Sequence, residues 1–142
     1  MKILFYGTKN YDEQFFDKLL PEFPGIEIKF IEANIHEETA SLAKGYEAIC
    51  AFVNADLSTK VIEELHQQGV KLILMRCAGY NNVDLKTAQK YGIKVLRVPG
   101  YSPEAVAEHA MALALTANRH THKAYIKCRE NNFTLNGLMG VN

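Results

Sequence analysis

Short, almost unbroken apolar runs alternate with segments of helical spacing, and this alternation constrains the fold more than any other feature of the chain. Residues 2–6 (Lys-Ile-Leu-Phe-Tyr), 48–53 (Ala-Ile-Cys-Ala-Phe-Val) and 71–75 (Lys-Leu-Ile-Leu-Met) have the pattern of strands buried on both faces. Residues 26–31 and 93–98 are similar in length but admit charges, as strands at a sheet edge do. Between them, residues 11–20 place Phe15, Phe16, Leu19 and Leu20 along one side and stop at Pro21. Ser58 is placed to cap a helix carrying Val61, Ile62 and Leu65 that ends at Gly69. Asn82 or Asp84 is placed to cap a further helix ending at Gly92.

Strand–helix alternation predicts an α/β protein with a parallel sheet and helices on both faces. Three buried strands and two charged ones fit a flavodoxin-like, doubly wound sheet of order 2-1-3-4-5, because the second and fifth strands carry the charges. Beyond residue 100 the pattern changes. Ser102 is a good N-cap, Pro103 sits where a missing N–H costs nothing, and residues 105–115 are apolar almost all round. A helix apolar on every side needs cover on every side, and no segment of this chain is available to wrap it. Close packing against a second domain or second subunit is the expectation. The predicted division is residues 1–100 as one domain and 101–142 as a long crossing helix that begins a truncated second domain.

With 142 residues and 48% hydrophobic content, the chain is an ordinary globular sequence. Sixteen basic and sixteen acidic residues cancel, which gives no electrostatic reason to expect nucleic acid or an anionic membrane as partner. No window is apolar enough to span a bilayer, and because residues 1–5 run directly into a strand-like segment a secretory signal is not expected. Cys50, Cys77 and Cys128 are odd in number and widely spaced, which suits free thiols in a cytoplasmic setting.

Ligands of a doubly wound sheet bind beyond the carboxyl ends of its strands, and three segments project there. The first holds Ala78 and Gly79, small residues that let a ligand approach the backbone. Their N–H groups, near a helix N-terminus, suit a carboxylate, and hydrogen bonds to a charged group contribute roughly 1.5–3 kcal/mol each. Spacing alone favours a plainer use of the segment, a tight strand-to-helix turn that binds nothing. The second segment ends the third strand at Phe52, which can close the apolar side of a pocket or simply join the core. The third carries Tyr101 between Pro99 and Pro103, either a hydroxyl donor or a surface tyrosine at a domain edge.

Other pairs fail on geometry. Glu108 and His109 are helix neighbours about 100° apart and cannot face each other, so His109 is expected to be a hydrogen-bonded packing residue. His120 and His122 have the wrong interval for two metal ligands on one helix face. Cys77 as a nucleophile requires a lowered pKa. No two of the nine glycines are separated by a single residue, so the dinucleotide pattern G-x-G-x-x-G cannot occur, and the Walker pattern is missing too.

The stretch Arg76-Cys77-Ala78-Gly79-Tyr80-Asn81-Asn82-Val83-Asp84, followed by Val98-Pro99-Gly100-Tyr101-Ser102-Pro103-Glu104-Ala105-Val106-Ala107-Glu108-His109, closely resembles the D-isomer-specific 2-hydroxyacid dehydrogenases. Arg129-Glu130-Asn131-Asn132-Phe133 and Leu135-Asn136-Gly137 resemble its lactate-forming subgroup, and the likeness covers essentially the whole chain. The resemblance implies a two-domain, homodimeric enzyme that reduces pyruvate to D-lactate with NADH, of which this chain supplies the substrate-binding part. It assigns the Ala78 and Gly79 amides and the Tyr101 hydroxyl to the substrate carboxylate, and Phe52 to the side-chain pocket, where relatives often carry tyrosine. Val106 would lie near the nicotinamide. The catalytic arginine, the histidine acid–base, its glutamate and the NAD-binding glycine loop are all expected beyond Asn142, so that no catalytic residue lies in this chain and the fragment alone is inactive. Three alternatives stay open: a dehydrogenase of another 2-keto acid, a receiver-like signalling module using Asp56, and a flavin-binding module.

Overall fold

The computed structural model describes residues 1–141 and divides the chain into two compact units, Met1–Pro99 and a second that begins at Gly100. In the first unit five strands, β1 (Lys2–Phe5), β2 (Glu27–Phe30), β3 (Ala48–Ala51), β4 (Leu72–Met75) and β5 (Lys94–Arg97), form one sheet. The order is β2-β1-β3-β4-β5 and every pairing is parallel, as the charge pattern predicted. Its register aligns Ile3 with Ala48, Ile49 with Ile73, and Cys50 with Leu74. All four residues of β3 are buried, whereas β2 and β5 are buried only in part. Central position and apolar content therefore coincide.

Alternate residues of a strand face opposite sides of a sheet, which splits the core into two layers. On one side Leu4, Tyr6, Ile49, Ala51, Ile73 and Met75 pack with Val61, Ile62 and Leu65 of helix α2 (Thr59–Gln67). Helix α3 (Leu85–Lys90) adds Ala88 to the same layer. On the other side Ile3, Phe5, Ala48 and Cys50 meet Phe16 of helix α1 (Asn10–Leu19), with Phe5 lying 5.2 Å from both Phe16 and Phe30, centroid to centroid. The expected apolar stripe of α1 is only partly used. Phe16 and Leu20 are half-buried while Phe15 and Leu19 are exposed, and the buried residue of α1 is Asp12. Pro21 acts as anticipated: the helix tightens into a 3₁₀ turn at Leu20–Glu22.

The caps differ from expectation in an instructive way. Ser58 and Ser102 occupy N-cap positions but their side chains make no capping bond. Asp84 does cap α3, accepting the Thr87 N–H at 3.0 Å, while Asn82 instead donates its side-chain amide to Ala55 O at 2.9 Å. The Asp84 carboxylate also accepts the Thr59 hydroxyl at 2.6 Å and the Thr87 hydroxyl at 2.7 Å, linking the first turns of α2 and α3. Those donors, Thr59 foremost and then Thr87, hold its pKa down to about 2.

The second unit contains α4 (Pro103–Arg119) and α5 (Thr121–Arg129). The predicted helix thus begins where expected, after Ser102, and runs past the apolar stretch to Arg119, while α5 was unforeseen. His120 separates them in the left-handed conformation, φ 51°, which interrupts the helical path. Asn118 donates to Val141 O and accepts from Val141 N, both at 2.8 Å, fixing the tail. No residue of α4 is buried within the chain, so Val106, Met111, Leu113 and Leu115 all remain exposed.

Ile49→Ala should lower stability by roughly 2–5 kcal/mol in urea denaturation, because a side chain buried against both neighbours leaves a cavity. Leu113→Ala, on exposed α4, should change it by less than about 0.5 kcal/mol. Because the folded-state pKa of Asp84 is depressed, its contribution to stability is complete above its unfolded value of about 4 and fades as pH falls towards about 2. Melting curves should show Asp84→Asn less stable than the parent at neutral pH, with the gap closing across that acid window.

Candidate functional site

The carboxyl ends of all five parallel strands lie along one edge of the sheet, and the loop after β4 is the part of that edge with unusual hydrogen bonding. Its carbonyls are taken. Cys77 O accepts from Val98 N at 3.2 Å, Ala78 O from Arg97 Nη1 at 3.0 Å, and Gly79 O from Cys77 Sγ at 3.3 Å. Tyr80 O accepts from Val83 N at 3.1 Å. The Ala78 and Gly79 amides, by contrast, have no acceptor among the described residues. Gly79 is exposed, and a Cβ placed on it would meet no atom within 4 Å. Ala78 is half-buried. With these four carbonyls held by the protein, and no acceptor among the described residues for the amides of Ala78 and Gly79 or for those of Cys77, Tyr80, Asn81 and Asn82, the loop is a donor surface.

One expectation needs correction. The amides are not at a helix N-terminus, because α3 starts only at Leu85. The intervening residues are drawn into an isolated parallel bridge, Leu57 with Val83, in which Asp84 N donates to Leu57 O at 2.9 Å. Loop backbone, without a helix dipole, must therefore do any anion binding here.

Phe52 follows β3 directly and is 37% exposed, so it belongs to the site edge rather than to the core. Its ring lies against the Arg76 guanidinium, 4.8 Å from carbon to centroid. Arg76, the first residue after β4, is the site residue to which sequence reasoning gave no role. The same guanidinium lies over Phe5 at 4.7 Å. Nη2 donates to Gly7 O at 2.8 Å and Tyr6 O at 3.2 Å, and Nη1 pairs with Asp12 at 3.3 Å. Side-chain exposures of 16% for Arg76 and 10% for Asp12 make this an ion pair largely out of solvent. A signal was available in the sequence: a guanidinium placed straight after Leu-Ile-Leu-Met must enter the fold with a partner. Asp12 is that partner, 64 positions away.

Tyr101 and Val106 belong to the second unit and are open to solvent within it, 69% and 72% exposed. His109 is likewise exposed on α4 rather than packed, because nothing in its unit covers that helix. Cys77 does not have the environment of a nucleophile. Burial pushes its thiol pKa up despite the opposing pull of Arg76, and burial pushes that of Cys50 up to about 12.

The turn after β1 was the other place to look for phosphate binding, and its amides are spent internally. Gly7 N donates to Ala33 O at 2.8 Å, Thr8 N to Ile31 O at 3.0 Å, and Lys9 N to Asp12 Oδ2 at 2.9 Å. These residues do not fit a dinucleotide pyrophosphate. Asp56, needed by a receiver-like module, is occupied by the Ser58 N–H at 2.9 Å. Among the described residues no three His, Cys, Asp or Glu side chains gather into a metal-binding group. Nor is any described helix long and apolar enough to cross a membrane.

Known proteins share this architecture. The chain is 50% identical over 140 residues to D-lactate dehydrogenase of Escherichia coli K12, covering 99% of this chain and 42% of that protein. The apo-structure of the E. coli D-lactate dehydrogenase superposes with a TM-score of 0.86, covering 99% of this chain and 44% of that one. The pyruvate reductase of Chlamydomonas reinhardtii superposes with a TM-score of 0.85 at 43% identity, over 100% of this chain and 42% of its own. A D-lactate dehydrogenase from Aquifex aeolicus, complexed with NAD and lactic acid, gives 0.76 at 26% identity, over 99% and 41%. The chain thus spans about two-fifths of the length of the relatives it matches. The profile of the D-isomer specific 2-hydroxyacid dehydrogenase catalytic domain matches residues 3–135, and the chain belongs to that family.

Proposed function

We propose that this chain is the substrate-binding portion of an NAD-dependent D-2-hydroxyacid dehydrogenase that interconverts pyruvate and D-lactate. One observation supports this most directly: among the described residues the Ala78 and Gly79 amides stand without acceptors, beside Cys77, Ala78, Gly79 and Tyr80 carbonyls that are engaged. Two such donors suit the carboxylate of a small 2-keto acid, and preformed donors need no reorganisation when the acid arrives. Phe52, exposed at the same edge, supplies an apolar wall for a substrate side chain as short as a methyl group. The family pattern adds Tyr101 as a hydroxyl donor to the acid and Val106 as a neighbour of the nicotinamide. Both side chains are solvent-open in their unit, as ligand-facing groups must be.

In this reading the chain binds and orients, and its contribution to rate is one of proximity. NAD is held by residues other than these, since the turn after β1 has no free amides to offer it. The proton donor and the cation that polarises the keto group likewise come from the remaining three-fifths of the relatives' length. The exposed apolar surface of α4, with Met111, Leu113 and Leu115, is the kind of surface that a homodimer covers. Three free cysteines suit a reducing, cytoplasmic compartment.

Titration of the isotope-labelled chain with pyruvate tests the site. The Ala78 and Gly79 amide resonances should move saturably, and pyruvamide, which lacks the charge, should bind about tenfold more weakly. With pyruvate and NADH together, the 142-residue chain should show no loss of NADH absorbance. Shifts confined to other regions would defeat the carboxylate assignment, and turnover by the chain alone would defeat the division of labour.

A further inference from the structure

Phe52 and Arg76 are related in a way that the proposed acid site does not by itself explain. Phe52 projects from the end of β3 with its ring in a partly open position. Among the described residues no other aromatic ring stacks on it; the flat face it rests against is the Arg76 guanidinium. That guanidinium has almost no freedom. It lies over both the Phe5 and Phe52 rings, and its nitrogens are bonded to the Gly7 and Tyr6 carbonyls and to Asp12. The acceptors are held in turn. Gly7 N donates to Ala33 O at 2.8 Å and Thr8 N to Ile31 O at 3.0 Å, which ties that turn to the chain following β2.

The charge of Arg76 is already answered by Asp12, and its Nε is buried with no partner, so it is not presented as a donor to an incoming anion. What it presents is a surface of fixed orientation. A planar cation on an aromatic face holds the ring electrostatically as well as by contact, which lysine cannot reproduce because it is not planar. We infer that Arg76 is a positioning residue: clamped to the turn after β1, it holds the Phe52 ring at the edge of the site and thereby sets discrimination among 2-keto acids by side-chain size. The inference rests on the acid-binding function proposed above.

The test uses the 142-residue chain with Arg76→Lys, Phe52→Ala and the double substitution, after thermal melts confirm that each is folded. Arg76→Lys keeps the charge opposite Asp12, and Phe52 is exposed enough for Phe52→Ala to leave the fold intact. Carbon relaxation of the Phe52 ring should show increased motion in Arg76→Lys. The preference for pyruvate over phenylpyruvate, measured by amide titration, should fall by roughly threefold in Arg76→Lys. Phe52→Ala should give the larger loss, and the double substitution should add nothing to it. An unchanged Phe52 ring overturns the positioning role whatever the acid does. Pyruvate binding with an unaltered preference in Arg76→Lys overturns the specificity role alone. If the parent chain binds neither acid, the function proposed above fails and the specificity role fails with it, while ring motion still decides whether Arg76 holds Phe52.

Discussion

A parallel sheet must be covered on both faces, and its connections must return to the same end before each new strand begins. In this chain those two demands generate nearly everything else. They require β3, and most of β1 and β4, to be apolar on alternate and adjacent positions alike. They relegate the charged strands to the edges. They also deliver the carboxyl ends of all the strands to one rim, where Gly7, Phe52, Arg76, Ala78 and Gly79 meet although they are distant in sequence. The rim is thus a consequence of topology, and its residues are free to serve purposes other than the core.

What distinguishes the rim is how its polar groups are satisfied. The turn after β1 consumes its own amides, and Arg76 then consumes the Tyr6 and Gly7 carbonyls. The loop after β4 does the reverse, engaging the Cys77, Ala78, Gly79 and Tyr80 carbonyls while the Ala78 and Gly79 amides are among several that have no acceptor in the described residues. Both arrangements are built on the same principle, that backbone groups out of water require partners. In one loop every partner is internal. In the other, the amides of exposed Gly79 and half-buried Ala78 stay open to water or to a ligand. The Arg76–Asp12 pair sits between them and joins β4, β1, α1 and the Phe52 ring into one rigid assembly.

The second unit obeys different physics. Its α4 is apolar nearly all round yet has no buried residue, which is unfavourable for an isolated helix and sensible for one that is covered in a larger assembly. The relatives that the chain matches are more than twice its length. Its helices are held locally, by the Asn118–Val141 bonds and by Lys127 to Thr134 and Asn136.

Strand identity and strand order were legible in the amino-acid sequence because hydrophobic content reports burial directly, and burial in a parallel sheet depends on position. Pro21 as a stop and Asp84 as a possible cap were legible for the same local reason: each depends on residue type and its near neighbours. Tertiary structure alone decided the rest. Whether Ser58 and Ser102 truly cap, where α3 begins relative to Gly79, and which carbonyls the loop engages depend on register and on contacts across the sheet. The pairing of Arg76 with Asp12, and its stacking on Phe52, joins residues that no local pattern connects, and only the folded chain brings their charges and rings within reach.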